Sequence, residues 1–252
     1  MKLHYRVDGP ADAPPLVLSS SLGTTHALWD PQVPALAERF RLVRYDRRGH
    51  GRSPVPAGPY SLDDLGGDVL ELLDELGLDH VSFCGLSLGG MVGMWLAVSA
   101  PERIDRLVLC CTAAALPPPE HWHTRAAIVR RDGMGAVAEA VLARWFPHDV
   151  PASLVEHYRQ QLLATPAEGY AGCCEALADV DLAGRLAEIR APTLVLTGDA
   201  DTVAPPARGD ELAAGIPGAN HVTLPDTGHL ANTERPERFT ELVLAHLTEE
   251  TR

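Results

Sequence analysis

Apolar residues recur along the chain with two different periods. Runs at 16–20, 41–46, 81–86, 104–111, 193–197 and 222–224 read as strands. Several are apolar nearly throughout, as strands buried in a parallel sheet must be. The first nine residues, MKLHYRVDG, alternate polar and apolar and predict one more strand. Helical spacing lies between these runs. The clearest case follows Ser61, whose hydroxyl suits an N-cap, with Asp63 and Asp64 in the first turn where the helix dipole favours acids. Leu62, Leu65, Val69, Leu72, Leu73 and Leu76 then share a face, and Gly77 supplies the stop. A second helix opens just after Ser87, and a last one spans about 236–247. Strand–helix alternation of this kind predicts an α/β fold with a mostly parallel sheet flanked by helices.

The rhythm breaks between about 116 and 190. The break opens on Pro117, Pro118 and Pro119 and continues as Ala-, Leu- and Glu-rich helical patterns without a good strand. Strand character resumes at Ala191-Pro192-Thr193. The expected organisation is a core domain of residues 1–116 and 191–252 with a helical cap, 117–190, inserted in it. The plainer alternative is a set of extra peripheral helices. No internal repeat or low-complexity tract interrupts the chain.

Composition narrows the partners. The 252 residues suffice for one large α/β domain with an insertion. With 21 Lys and Arg against 34 Asp and Glu, the formal net charge is −13. So acidic a surface argues against nucleic acid and anionic membranes, and an anionic substrate would need a local cation. The N-terminus has no apolar signal-like core, and no apolar run reaches the roughly 18 residues of a membrane span. The five cysteines include two adjacent pairs, Cys110-Cys111 and Cys173-Cys174, with Cys84 alone. An odd count without metal-type spacing suggests buried small hydrophobes in a reducing cytoplasm rather than a disulfide framework. His121-Trp122-His123 lacks further ligands at a recognisable spacing, so no metal is expected.

The chemistry concentrates at Gly85-Leu86-Ser87-Leu88-Gly89-Gly90, between an apolar strand and an apolar helix. That is the setting a G-x-S-x-G elbow requires. The turn forces the serine to positive φ, and side chains two residues either side would collide. Ser87 is the expected nucleophile, with the Leu88 N–H at a helix start as one oxyanion donor. A serine needs a base and the base an orienting acid. His229, in Asp226-Thr227-Gly228-His229 after the last strand, is the expected base. The acid follows the preceding strand in Gly198-Asp199-Ala200-Asp201, where Asp201 is favoured over Asp199; Asp226 lies too close to His229 in sequence. The loop Ser20-Ser21-Leu22-Gly23-Thr24-Thr25 should supply the second oxyanion donor, the Leu22 N–H. The charged segment Tyr45 to Ser53 reads as a structural brace, with no catalytic part for His50.

With these residues placed, the chain resembles the 3-oxoadipate enol-lactonases, of the α/β-hydrolase superfamily. The likeness rests on Ser20 to Gln32 (SSLGTTHALWDPQ), Arg44 to Ser53, Phe83 to Gly90 (FCGLSLGG) and Ala100 to Thr112 (APERIDRLVLCCT). Arg144-Trp145-Phe146 and Glu168 to Cys174 (EGYAGCC) extend it into the cap. Leu88 stands where that family commonly has methionine, a volume-conserving change. The resemblance implies hydrolysis of 3-oxoadipate enol-lactone to 3-oxoadipate through an acyl-enzyme, within aromatic catabolism. It also implies a pocket cation for the substrate carboxylate. Arg125, Arg130 and Arg144 are the cap candidates, with Arg125 preferred, and Trp29, Trp122 and Trp145 are the apolar walls. Two rivals stand beside it. A general carboxylesterase or C–C bond hydrolase would share the reacting residues, and a ligand sensor on the same scaffold would bind without turnover.

Overall fold

The chain builds a seven-stranded sheet in the order β1-β3-β2-β4-β5-β6-β7. The strands are β1 Tyr5–Asp8, β2 Pro15–Ser19, β3 Arg41–Tyr45, β4 Val81–Leu86, β5 Ile104–Cys110, β6 Thr193–Gly198 and β7 Asn220–Leu224. A computed structural model describes residues 1–249 of the chain. β1 pairs antiparallel with β3 at one edge, and every other pairing is parallel. β4 and β6 are buried along their whole length, which is why their sequences carry no charged residue.

The helices are α1 Val33–Leu36, α2 Leu62–Glu75, α3 Leu88–Ser99, α4 Pro119–Asp132, α5 Ala138–Trp145, α6 Ala152–Ala164, α7 Ala167–Asp179, α8 Pro206–Gly215, α9 Ala231–Glu234 and α10 Pro236–Thr248. Ser61 caps α2 as its sequence implies: its hydroxyl accepts from the Asp64 N–H at 3.1 Å, and the Asp64 carboxylate accepts from the Ser61 N–H at 2.9 Å. Gly77 follows with φ 64°. Helices α4 to α7 all lie between β5 and β6, and among the described residues that stretch contributes no strand.

The insertion sits directly on core loops. A Cβ at Gly169 in α7 would come 2.0 Å from the Gly49 carbonyl, so the two backbones touch. Glu168 reinforces the contact by accepting the Gly58 N–H at 2.8 Å. Arg130 of α4 pairs with Glu168 and Glu175 of α7, fastening the two helices together.

The strand order decides where a site can form. From β2 the chain winds outward to β3 on one side and to β4, β5 and β6 on the other, so the direction reverses between β2 and β4. Ligands of open α/β sheets lie beyond the carboxyl ends of the strands at such a reversal. Ser19 and Gly85 are register partners there, which brings the loop after β2 beside the turn after β4. No helix of the described residues is long and apolar enough to cross a membrane.

Candidate active site

Ser87 stands between β4 and α3 with φ 57° and ψ −119°, a conformation costly for any residue with a Cβ. Its surroundings hold it there. The Ser87 N–H donates to the Cys110 carbonyl at 2.8 Å, and its own carbonyl accepts the Thr112 hydroxyl at 2.7 Å. The flanking glycines are sterically required: a Cβ at Gly85 would lie 2.2 Å from the Gly89 carbonyl, and one at Gly89 would lie 2.1 Å from that of Ser19. Leu88 begins α3, where N–H groups have no intrahelical acceptor.

Asp201 and His229, the expected acid and base, follow β6 and β7. Gly198 ends β6 with its Cα so close to Thr227 that a Cβ would be 2.2 Å from that carbonyl. The loops after the two strands therefore lie against each other, joined by Ala200 N–H to Thr227 carbonyl at 3.0 Å. The His229 ring donates from Nδ1 to Asp201 Oδ2 at 2.9 Å, and both side chains are buried. The other Asp201 oxygen accepts the N–H groups of Val203 and Ala204 at 2.7 and 3.0 Å. With Nδ1 spent on Asp201, Nε2 is the ring's free acceptor. Asp199 is occupied elsewhere, accepting the Thr227 N–H at 3.1 Å.

Ser87 and His229 border one partly enclosed cavity. Ser21 and Leu22 border it from the loop after β2, and Trp122, Arg125, Arg144, Trp145 and Tyr170 from the helical insertion. Arg125 stacks over the Trp122 ring with its guanidinium carbon 4.9 Å from the centroid, and its Nη2 donates to His121 Nε2 at 2.9 Å. Arg144 donates to the Thr202 carbonyl at 3.1 Å. Burial, and next the neighbouring charge of Arg125, lower the Arg144 pKa. Among the described residues neither guanidinium pairs with a carboxylate. Two like charges in one half-buried pocket favour an anion there.

Two expectations are corrected. Trp29 does not border this cavity: the 3₁₀ turn His26–Gln32 carries it inward, where it is fully buried with its ring centroid 6.1 Å from that of Phe239. Arg130 is spent on Glu168 and Glu175. Tyr170, Leu177, Val141 and Val203 border the cavity without having been singled out in the sequence, although Tyr170 lies in the EGYAGCC segment.

His4, His26 and Asp46 converge near the surface, a set that resembles a metal centre. Their chemistry is hydrogen bonding. Asp46 Oδ1 accepts the His26 N–H and Nδ1–H, each at 2.8 Å, while Oδ2 accepts His4 Nδ1–H and the Arg52 N–H, each at 3.0 Å. All four lone-pair positions of the carboxylate are engaged, and the cluster braces the Tyr45-to-Ser53 segment.

Comparison with known proteins agrees with the geometry. The α/β-hydrolase fold family model matches residues 14–236. A 3-oxoadipate enol-lactonase of Acinetobacter baylyi is 40% identical, over 96% of this chain and 92% of its own. The solved enol-lactonase of Burkholderia xenovorans superposes with a TM-score of 0.94 at 46% identity, covering 98% of this chain and 96% of that one. The chain belongs to the 3-oxoadipate enol-lactonase family. As a member it is an enzyme of the carboxylic ester hydrolase class, on the α/β-hydrolase fold. The family's neighbours reach other chemistry: a Stutzerimonas stutzeri protein proposed to be a carbamate hydrolase is 34% identical, over 98% of this chain and 97% of its own.

Proposed function

We propose that this enzyme hydrolyses 3-oxoadipate enol-lactone to 3-oxoadipate. The observation that carries the reading is the cavity itself. It joins Ser87 and His229 to two guanidinium groups without carboxylate partners, as a lactone bearing a carboxylate requires.

In this reading His229 Nε2 takes the Ser87 proton as Oγ attacks the lactone carbonyl. The N–H groups of Leu22 and Leu88 receive the oxyanion. The ring C–O bond then breaks, and the enolate oxygen takes the proton from His229 while remaining tethered in the acyl chain. Water, deprotonated by His229, cleaves the acyl bond as the imidazolium returns its proton to Ser87 Oγ, and the released enol diacid tautomerises to 3-oxoadipate. Asp201 holds the imidazole in the required tautomer throughout. Arg125 and Arg144 grip the substrate carboxylate, with Trp122 and Trp145 against its carbon skeleton. No step needs a cofactor.

The general esterase and the carbamate hydrolase share this machinery and differ in the occupant of the arginine end. The test is a panel of the enol-lactone, p-nitrophenyl acetate and an N-carboxylated carbamate. The reading expects the highest kcat/KM on the enol-lactone. It also expects Arg125→Ala and Arg144→Ala to raise KM for that substrate about ten- to a hundredfold while leaving p-nitrophenyl acetate within about threefold. Equal losses on both substrates would remove the carboxylate from the account.

A further inference from the structure

A buried carboxylate beside His229 lies outside the reacting set. The Glu234 side chain, in the short helix after His229, is completely buried. Its Oε2 accepts the Gly228 N–H at 3.1 Å, on the residue immediately before His229. The same oxygen lies 2.9 Å from Nε2 of His148, which follows α5 of the helical insertion. The insertion also takes the backbone of the base, since the His229 N–H donates to the Trp145 carbonyl at 3.0 Å. Gly228 is wedged among these groups. A Cβ there would lie 2.6 Å from the Trp145 carbonyl, 2.7 Å from Pro147 and 2.9 Å from Glu234 Oε1.

We propose that Glu234 is a positioning residue for the base: it locks the Gly228–His229 turn to the helical insertion and supplies a second negative charge that favours the His229 imidazolium. The inference rests on the reading of Ser87, His229 and Asp201 as the reacting set. The charges around Glu234 fit an ionised carboxylate. His148 faces it from the insertion, Arg235 follows it in the chain, and His229 lies beyond Gly228. Burial raises its pKa above the ordinary carboxylate value, and the Gly228 N–H, His148, Arg235 and His229, in descending order, offset only part of that rise. Cys111 on the sheet side is neutral, its thiol held protonated by burial. Asp201 stands on the opposite side of the imidazole, bonded to Nδ1.

The lock is tested with a reaction that needs the base and no particular substrate. A fluorophosphonate probe forms an O–P bond to Ser87 and expels fluoride, with the serine proton passing to His229. Its rate against pH has an acid limb where the base becomes protonated. Wild type should label, and Ser87→Ala should not. Glu234→Gln keeps an oxygen for the Gly228 N–H and removes the charge. It should label about three- to tenfold more slowly at pH 7, with the acid limb moved to lower pH, because the imidazolium has lost a favourable neighbour. Glu234→Asp keeps the charge and shortens the reach; its limb should stay in place while the rate falls. A Glu234→Gln profile that superimposes on wild type overturns the proposal. Should Glu234→Gln fail to fold, Glu234→Asp decides: a slower rate with the limb in place supports the lock, and a wild-type rate overturns it. Absence of labelling in wild type overturns the reacting set, and this inference with it.

Discussion

The peptide unit joining Ser21 to Leu22, whose N–H is proposed for the oxyanion, is held on both sides. The Thr24 hydroxyl and N–H donate to the Ser21 carbonyl at 2.9 and 3.3 Å, and the Gly23 N–H donates to His50 Nε2 at 3.0 Å. Arg47 secures the preceding carbonyl, that of Ser20. A donor fixed before the reaction need not reorganise during it. Thr24→Val should therefore lower kcat about tenfold with KM within about twofold, and Thr24→Ser should restore it. Steady-state kinetics on the three proteins checks this.

His50 also sets part of the acid stability. Burial, and next the charge of Arg47, depress its pKa from 6.5 to about 3. A base with a depressed folded pKa is stabilising above its unfolded pKa. The contribution declines as pH falls from about 6.5 towards 3, because the unfolded chain takes up the proton first. By pH 5 the loss is about 2 kcal/mol. Asp46, lowered to about 2 against the desolvation of its burial chiefly by its bond to His26, adds a loss only below about pH 4. Thermal unfolding should thus show a midpoint that falls between pH 6 and 5 in wild type and falls less in His50→Gln.

At the scale of elements, the buried parallel strands were readable from sequence because neither of their faces needs polar residues. The helix after Ser61 was readable because its cap, its first-turn acids and its apolar face agree. Its capping box is remote from the cavity. Ser61→Ala should cost about 1 kcal/mol and leave turnover unchanged, which calorimetry and an activity assay together can verify. The turn 26–32 was not readable: Trp29 follows the oxyanion loop closely in sequence, yet a 3₁₀ turn aims it at the core and α10. A local pattern does not report which way such a turn faces. Gly169 likewise read as one letter of a cap motif. Its reason lies 120 positions away, in the backbone of Gly49. Gly169→Ala should therefore separate α7 from that loop and lower both stability and kcat/KM, visible as reduced protease resistance of the insertion.

For the whole molecule, the placement of Ser87, Asp201 and His229 just after β4, β6 and β7 was legible because strand ends recur in the sequence pattern, and the sheet order sets those three strands near one another. The arginine end proposed to hold the substrate carboxylate was only half legible. Arg125, Arg130 and Arg144 are equivalent in sequence, and tertiary pairing with Glu168 and Glu175 is what removes Arg130 from the pocket. The lock at Glu234 had no sequence signal, since its partners are a backbone N–H and a histidine 86 positions away. In a chain of net charge −13, two arginines without carboxylate partners among the described residues border the Ser87 pocket. The most direct measurement of the account is the ultraviolet absorbance of 3-oxoadipate enol-lactone with wild type and with Ser87→Ala. Wild type should remove the lactone signal rapidly, and Ser87→Ala should leave it decaying at the uncatalysed rate. Persistence of the signal with wild type that turns over p-nitrophenyl acetate, or full turnover by Ser87→Ala, would contradict it.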